Sequence, residues 1–128
     1  MKYWINSSDA DFEVMLSMYA SKHYHWSLFV GHLALEKLFK ALYAKSHPQK
    51  PDAPFIHNLI ILAQKCNIQL DDDMFDKLTV INTFNIATRY ADAKNDFYAR
   101  CTKEYAQEQI NNIKEIREWL KEKLTQEQ

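Results

Sequence analysis

Glycine is almost missing from this sequence: Gly31 stands alone in 128 residues, beside three prolines and two cysteines. A Walker loop or a dinucleotide fingerprint needs several glycines so that the backbone can approach phosphate closely, and a lone glycine inside an apolar stretch excludes both. So little glycine and proline also cannot supply the turns of a many-stranded sheet. Leu, Ala, Lys, Glu and Gln are plentiful instead, and the composition points to an all-α fold. Cys66 and Cys101 have no CxxC-type spacing, which favours a reducing, cytoplasmic setting over a disulfide scaffold. Charge of one sign is lacking too. Sixteen basic residues face seventeen acidic ones, so nothing drives the whole chain towards nucleic acid, and any such binding has to be local. No apolar run reaches the roughly eighteen residues that a membrane span needs, and no secretory h-region is legible. The expectation is a soluble cytoplasmic protein with no membrane partner and no cofactor.

A chain of this length makes one domain able to bury a core without staples. The stretch from His25 to Ala44 reads as its central helix. At about 100° per residue, Trp26, Val30, Leu33, Ala34, Leu38, Ala41 and Leu42 cover more than half the circumference, too wide for a surface helix. A narrow band of His25, Phe29, His32, Glu36, Lys40 and Tyr43 recurs at spacings of three, four and seven and stacks along one side. That band is the candidate working face. Lys37 falls inside the apolar arc, where an ammonium needs a carboxylate or must snorkel out.

Taken in order, the chain predicts helices over about 8–22, 24–46, 57–66, 72–88 and 102–124, an up-and-down helical bundle of about five. Ser8 with Asp11 looks like a capping box opening the first, and Phe12, Met15, Leu16 and Tyr19 give it one buried face. Pro48, Pro51 and Pro54 define the linker after the central helix. Asp71, Asp72 and Asp73 suit a helix N-terminus. Residues 89–98 show no period and read as an ordered loop. Tyr105, Ala106, Ile110, Ile113, Ile116, Leu120 and Leu124 mark the buried stripe of the last helix.

Three motifs then stand in order: His32-Leu-Ala-Leu-Glu-Lys-Leu-Phe-Lys-Ala-Leu42, His57-Asn-Leu59 after the proline linker, and Arg89-Tyr-Ala-Asp92 closing the fourth helix. Together they resemble the HEPN domain, of the type associated with minimal nucleotidyltransferases, over nearly the whole chain. The resemblance implies a helical bundle, often dimeric, in a two-component, toxin–antitoxin-like system with a nucleotidyltransferase partner. Many HEPN proteins are metal-independent ribonucleases with an arginine followed four to six residues later by a histidine. Here Lys94 to Phe97 follow Arg89, and Tyr105 to Gln107 follow Arg100, with no histidine among them. The missing group is the general acid-base, a contribution of roughly 10²–10⁴-fold. The preferred expectation is therefore a nucleotide-, RNA- or partner-binding module; the alternatives are a divergent ribonuclease or a purely structural helical dimer.

The candidate binding residues are Arg89, Tyr90, Asp92, His32, Glu36, Lys37, Lys40 and His57. Arg89 suits a phosphate and Tyr90 a stacked base; alternatively, Arg89, Asp92, Glu36 and Lys37 form one charged cluster that neutralises itself. For His25, His32 and Glu36 a metal site is the sharper reading, and hydrogen bonds tethering a neighbouring loop are the favoured one. No metal is expected. Aromatic residues near both ends of the sequence suggest a homodimer.

Overall fold

The computed structural model describes residues 1–49, 52–86 and 91–126, without the side chains at 86 and 91–94. Among them six helices and no strands appear: α1 (Lys2–Ala20), α2 (Tyr24–Ser46), α3 (Leu59–Lys65), α4 (Asp72–Ile86), α5 (Ala91–Arg100) and α6 (Lys103–Thr125). The all-α bundle is as the composition requires. Its centre is α2, which packs against α1, α3, α4 and α6 and buries Leu28, Leu35, Leu38 and Phe39 completely.

Small residues set the α1–α2 approach. Ser8 Oγ donates to the Ala34 carbonyl at 2.6 Å, and Ser27 Oγ donates to the Met15 carbonyl at 2.8 Å. These two ties run antiparallel, and each satisfies a hydroxyl that would otherwise be buried unpaired. Gly31 sits where α1 and α6 converge: a Cβ there would lie 2.6 Å from Ile113 Cδ1 and 2.8 Å from Met15 Sδ. Close approach, not backbone freedom, explains this glycine. At the other end of α2, Lys45 Nζ donates to the Lys123 and Leu124 carbonyls at 3.1 and 2.9 Å and to that of Gln126, giving the open C-terminal carbonyls of α6 a cationic cap.

Two expectations are corrected. Ser8 does not open α1, which begins at Lys2; Ile5 extends the stripe of Ser8, Phe12 and Met15 one turn upstream, and Ser8 lies fully buried inside the helix. Residues predicted as an ordered loop are largely helical in α5. Phe97 is its buried anchor, stacked on Phe84 with centroids 5.3 Å apart. Among the described side chains of α5, at 95–100, Phe97 is the one that is buried, and a single anchor leaves no period to read. Elsewhere the caps are legible: Asp71 Oδ1 accepts from Met74 N at 2.7 Å at the start of α4, and the Thr102 side chain accepts from Tyr105 N at 3.1 Å at the start of α6.

Candidate functional site

The centre of the candidate working face on α2 is turned inwards. His32 is completely buried, and Glu36 and Lys40 are buried as well, whereas Trp26 on the apolar arc is 40% exposed. What covers the band is the chain returning from the proline linker. His57 lies across it: its carbonyl accepts from His32 Nε2 at 2.9 Å, and its ring Nδ1 donates to Glu36 Oε1 at 3.0 Å. Glu36 Oε2 takes the ammonium of Lys40 at 3.0 Å. Lys40 in turn lies 5.4 Å from the ring centroid of Trp4 on α1, within range of a cation–π contact. His32 and Glu36 thus tether a neighbouring loop, as the hydrogen-bonding alternative for these residues supposes.

The chemistry fixes the protons. A carbonyl and a carboxylate only accept, so His32 carries hydrogen on Nε2 and His57 on Nδ1. Burial pushes the His32 imidazole down to about 4, against the opposing pull of the Glu36 carboxylate. His32 is therefore neutral at pH 7. Its Nδ1 has no hydrogen-bond partner among the described residues and stands 3.9 Å from Glu36 Oε1. The Glu36–Lys40 pair cancels its own charge in the interior, a requirement for burying either member. His57 is different: its side chain is 44% exposed, and with Nδ1 committed to Glu36 its Nε2 is the ring nitrogen left for another partner.

The next residue extends the site. Asn58 caps α3, its Oδ1 accepting from Ile60 N at 2.9 Å and Ile61 N at 3.2 Å, as well as from Asn82 Nδ2 at 3.0 Å. Asn82 Oδ1 accepts from Leu59 N at 2.8 Å. The two amides pin the start of α3 to α4. A cavity of about 140 Å³ opens here, lined by His57, Asn58, Asn82 and Asn85. Asn58 Oδ1 is filled by three donors, so the capacity left to that side chain is its own amide N–H groups. A ligand offering acceptors, such as a phosphate or a base carbonyl, matches this lining.

The sequence-derived candidates separate. His32, Glu36, Lys40 and His57 come together; Lys37 does not join them. Its Nζ pairs with Asp11 Oδ2 on α1 at 2.7 Å, so Lys37's place in the anticipated cluster is corrected: Glu36 takes a cation from Lys40, one turn further along the same helix. The carboxylate that Lys37 needed lies in α1, in the supposed capping box. Arg89 and Tyr90 lie outside the described residues, as does the side chain of Asp92. His25 is not part of the network; its ring meets Tyr98 at 4.6 Å and Trp26 at 5.0 Å. Among the described residues no group of three or more His, Cys, Asp or Glu is placed to hold a metal ion. Sequence reasoning passed over Asn58 and Asn82. Asn58 was findable, as an N-cap residue directly before an apolar run, and recognising it would have moved the start of this helix from 57 to Leu59. Asn82 left no signal.

An all-helical bundle whose central helix buries an ion pair under a histidine clamp defines the class. The comparison with protein families is specific: residues 1–124 match the HEPN domain, and the chain belongs to the HEPN family, a family of nucleotide- and RNA-related modules. Comparison with curated proteins and with solved structures gives no match to this chain. No helix among the described residues is long and apolar enough to cross a membrane.

Proposed function

We propose that this chain is a nucleotide- or RNA-binding HEPN module that works as a dimer in a two-component, toxin–antitoxin-like system with a minimal nucleotidyltransferase. The observation that carries the binding part is the half-exposed His57 ring, held by the buried Glu36–Lys40 pair at the edge of a cavity lined by asparagines. A fixed imidazole beside side-chain amides suits phosphate and base acceptors. Arg89 and Tyr90 follow α4 directly in the sequence and complete the reading, with a guanidinium for phosphate and a ring for a base. The test is a titration of nucleotides and short RNA against the wild type, His57→Ala and Arg89→Ala. Both variants should stay folded and lose binding, and the wild-type affinity should fall steeply as salt rises. Equal binding by all three proteins would refute the site. For the partner, the reading frame beside this chain should encode a minimal nucleotidyltransferase, co-expression with it should yield one complex, and the chain alone should arrest growth; a different neighbour, separate elution or unimpaired growth would remove the two-component part.

One observation favours a second reading, a divergent metal-independent ribonuclease. His57, oriented by Glu36 through Nδ1 and with Nε2 left for another partner, has the arrangement of a general acid-base backed by a carboxylate. Cleavage of RNA that survives chelation of metals and disappears in His57→Ala would move the account to that reading.

A further inference from the structure

A second concentration of rings lies at the N-terminal end of the central helix. His25 and Glu36 are eleven positions apart, about 16 Å along the helix axis. At this end the α1–α2 and α5–α6 turns come together around a cavity of about 250 Å³, lined by Lys22, Tyr24, His25, Tyr98 and Cys101. Tyr98 is 62% exposed, and one side of it is backed by His25 at 4.6 Å. Tyr24 meets Tyr19 at 5.5 Å, and Tyr19 lines a neighbouring cavity of about 410 Å³ with Lys103, Glu104 and Gln107. The first cavity therefore has aromatic walls, the second a single tyrosine, each has one lysine, and a contacting tyrosine pair connects them. Glu104 is the one carboxylate in either lining. Burial pushes the Cys101 thiol up to about 11, so it adds no negative charge at neutral pH.

The backbone gives an independent sign. Lys22 has φ 66°, the left-handed region that favours glycine or asparagine. Its N–H donates to the Tyr19 carbonyl at 3.0 Å, and His23 N donates to the Met18 carbonyl at 2.8 Å, the two bonds that close a helix end in a Schellman turn. A lysine thus occupies the position where glycine would fold more easily, and its side chain lines the cavity. Strain of this kind concentrates where a side chain is needed.

We propose that this end of the bundle holds two consecutive nucleotides of single-stranded RNA, one base stacked on Tyr98 and Tyr24, the next on Tyr19, with the phosphates at Lys22 and Lys103. Rings interleaved with cations are the general means of holding an unpaired strand without reading its sequence. Two linked cavities fit a strand better than a mononucleotide. The inference rests on the reading that the chain binds RNA, but concerns a different surface from the His57 cavity.

The experiment is fluorescence anisotropy of the full chain with a labelled ten-nucleotide oligoadenylate, and with an RNA duplex of the same length. The wild type should prefer the single strand. Tyr98→Ala should weaken it about tenfold, and Tyr98→Phe, which keeps the ring, should not. Lys22→Gly should weaken binding and flatten the salt dependence by about 0.7 in slope, the loss of one phosphate contact, with a melting temperature equal to or above wild type because the turn is relieved. Single-strand binding by Tyr98→Ala within twofold of wild type would overturn this inference and leave the His57 site standing. A wild type that prefers duplex would also overturn it, and one that binds no RNA or nucleotide at all would remove both proposals.

Discussion

The two sides of α2 solve the same problem, burial against a neighbour, by opposite means. Towards α1 and α6 the helix offers Ser27, Gly31 and Ala34, and the contact is a close approach closed by two serine hydrogen bonds. Towards α3 and the returning linker it offers His32, Glu36 and Lys40, and the contact is a chain of polar groups, each needing the next. On the first side a lost atom costs packing. On the second, a lost atom leaves a charge or a donor stranded, which is the more expensive failure. Specific polar chemistry at a cavity mouth is placed on the side that is costly to change.

The sharpest way to break this contrast is Glu36→Ala, which orphans the buried Lys40 ammonium and the His57 donor together. Stability should fall by roughly 3–5 kcal/mol in urea melts, whereas Glu36→Leu with Lys40→Met, which removes both charges, should cost clearly less. Acid is the next lever. The unfolded chain protonates His32 near pH 6.5, while the folded chain refuses that proton until about pH 4. The unfolded state therefore binds more protons across this window, and stability present at pH 7 is lost as pH falls through it. The loss should approach about 3 kcal/mol, and His32→Gln should flatten the profile in melts from pH 7 to 4.5. Asn82→Ala should cost roughly 1–3 kcal/mol by leaving the Leu59 N–H unpaired, read by the same melts and by faster hydrogen exchange at the start of α3. On the dry side, Gly31→Ala gains about 1 kcal/mol of helix propensity and pays roughly 1–3 kcal/mol of overpacking against Met15 and Ile113. Its net cost of about 1 kcal/mol should be the smallest of these effects.

Legibility in the sequence followed the same division. The apolar periods of α1 and α6, the aspartates before α4 and the width of the apolar arc on α2 were readable, because burial of carbon leaves a pattern in spacing. That His32 and Glu36 tether a neighbouring loop was the favoured reading, but which loop, and that Lys40 is buried with them, was not legible. Periodicity says which residues share a face; it does not say whether that face meets water or a returning loop, and here His57 decides the matter from twenty-one residues beyond Glu36. Lys37 shows the converse: its need for a carboxylate was evident, but Asp11 was already assigned to a cap. The short α5, with Phe97 as the one buried anchor among its described side chains, lacked the repeat that would have distinguished it from a loop.

The central claim is that the buried polar side of α2 exists to present His57 to a ligand. NMR of the imidazole resonances during titration with nucleotide or short RNA tests it most directly, since each histidine reports its own surroundings. The account predicts that the His57 signals shift saturably with ligand while those of His47, at the far end of α2, stay in place. Saturation of the protein with ligand and no change at His57 would contradict it.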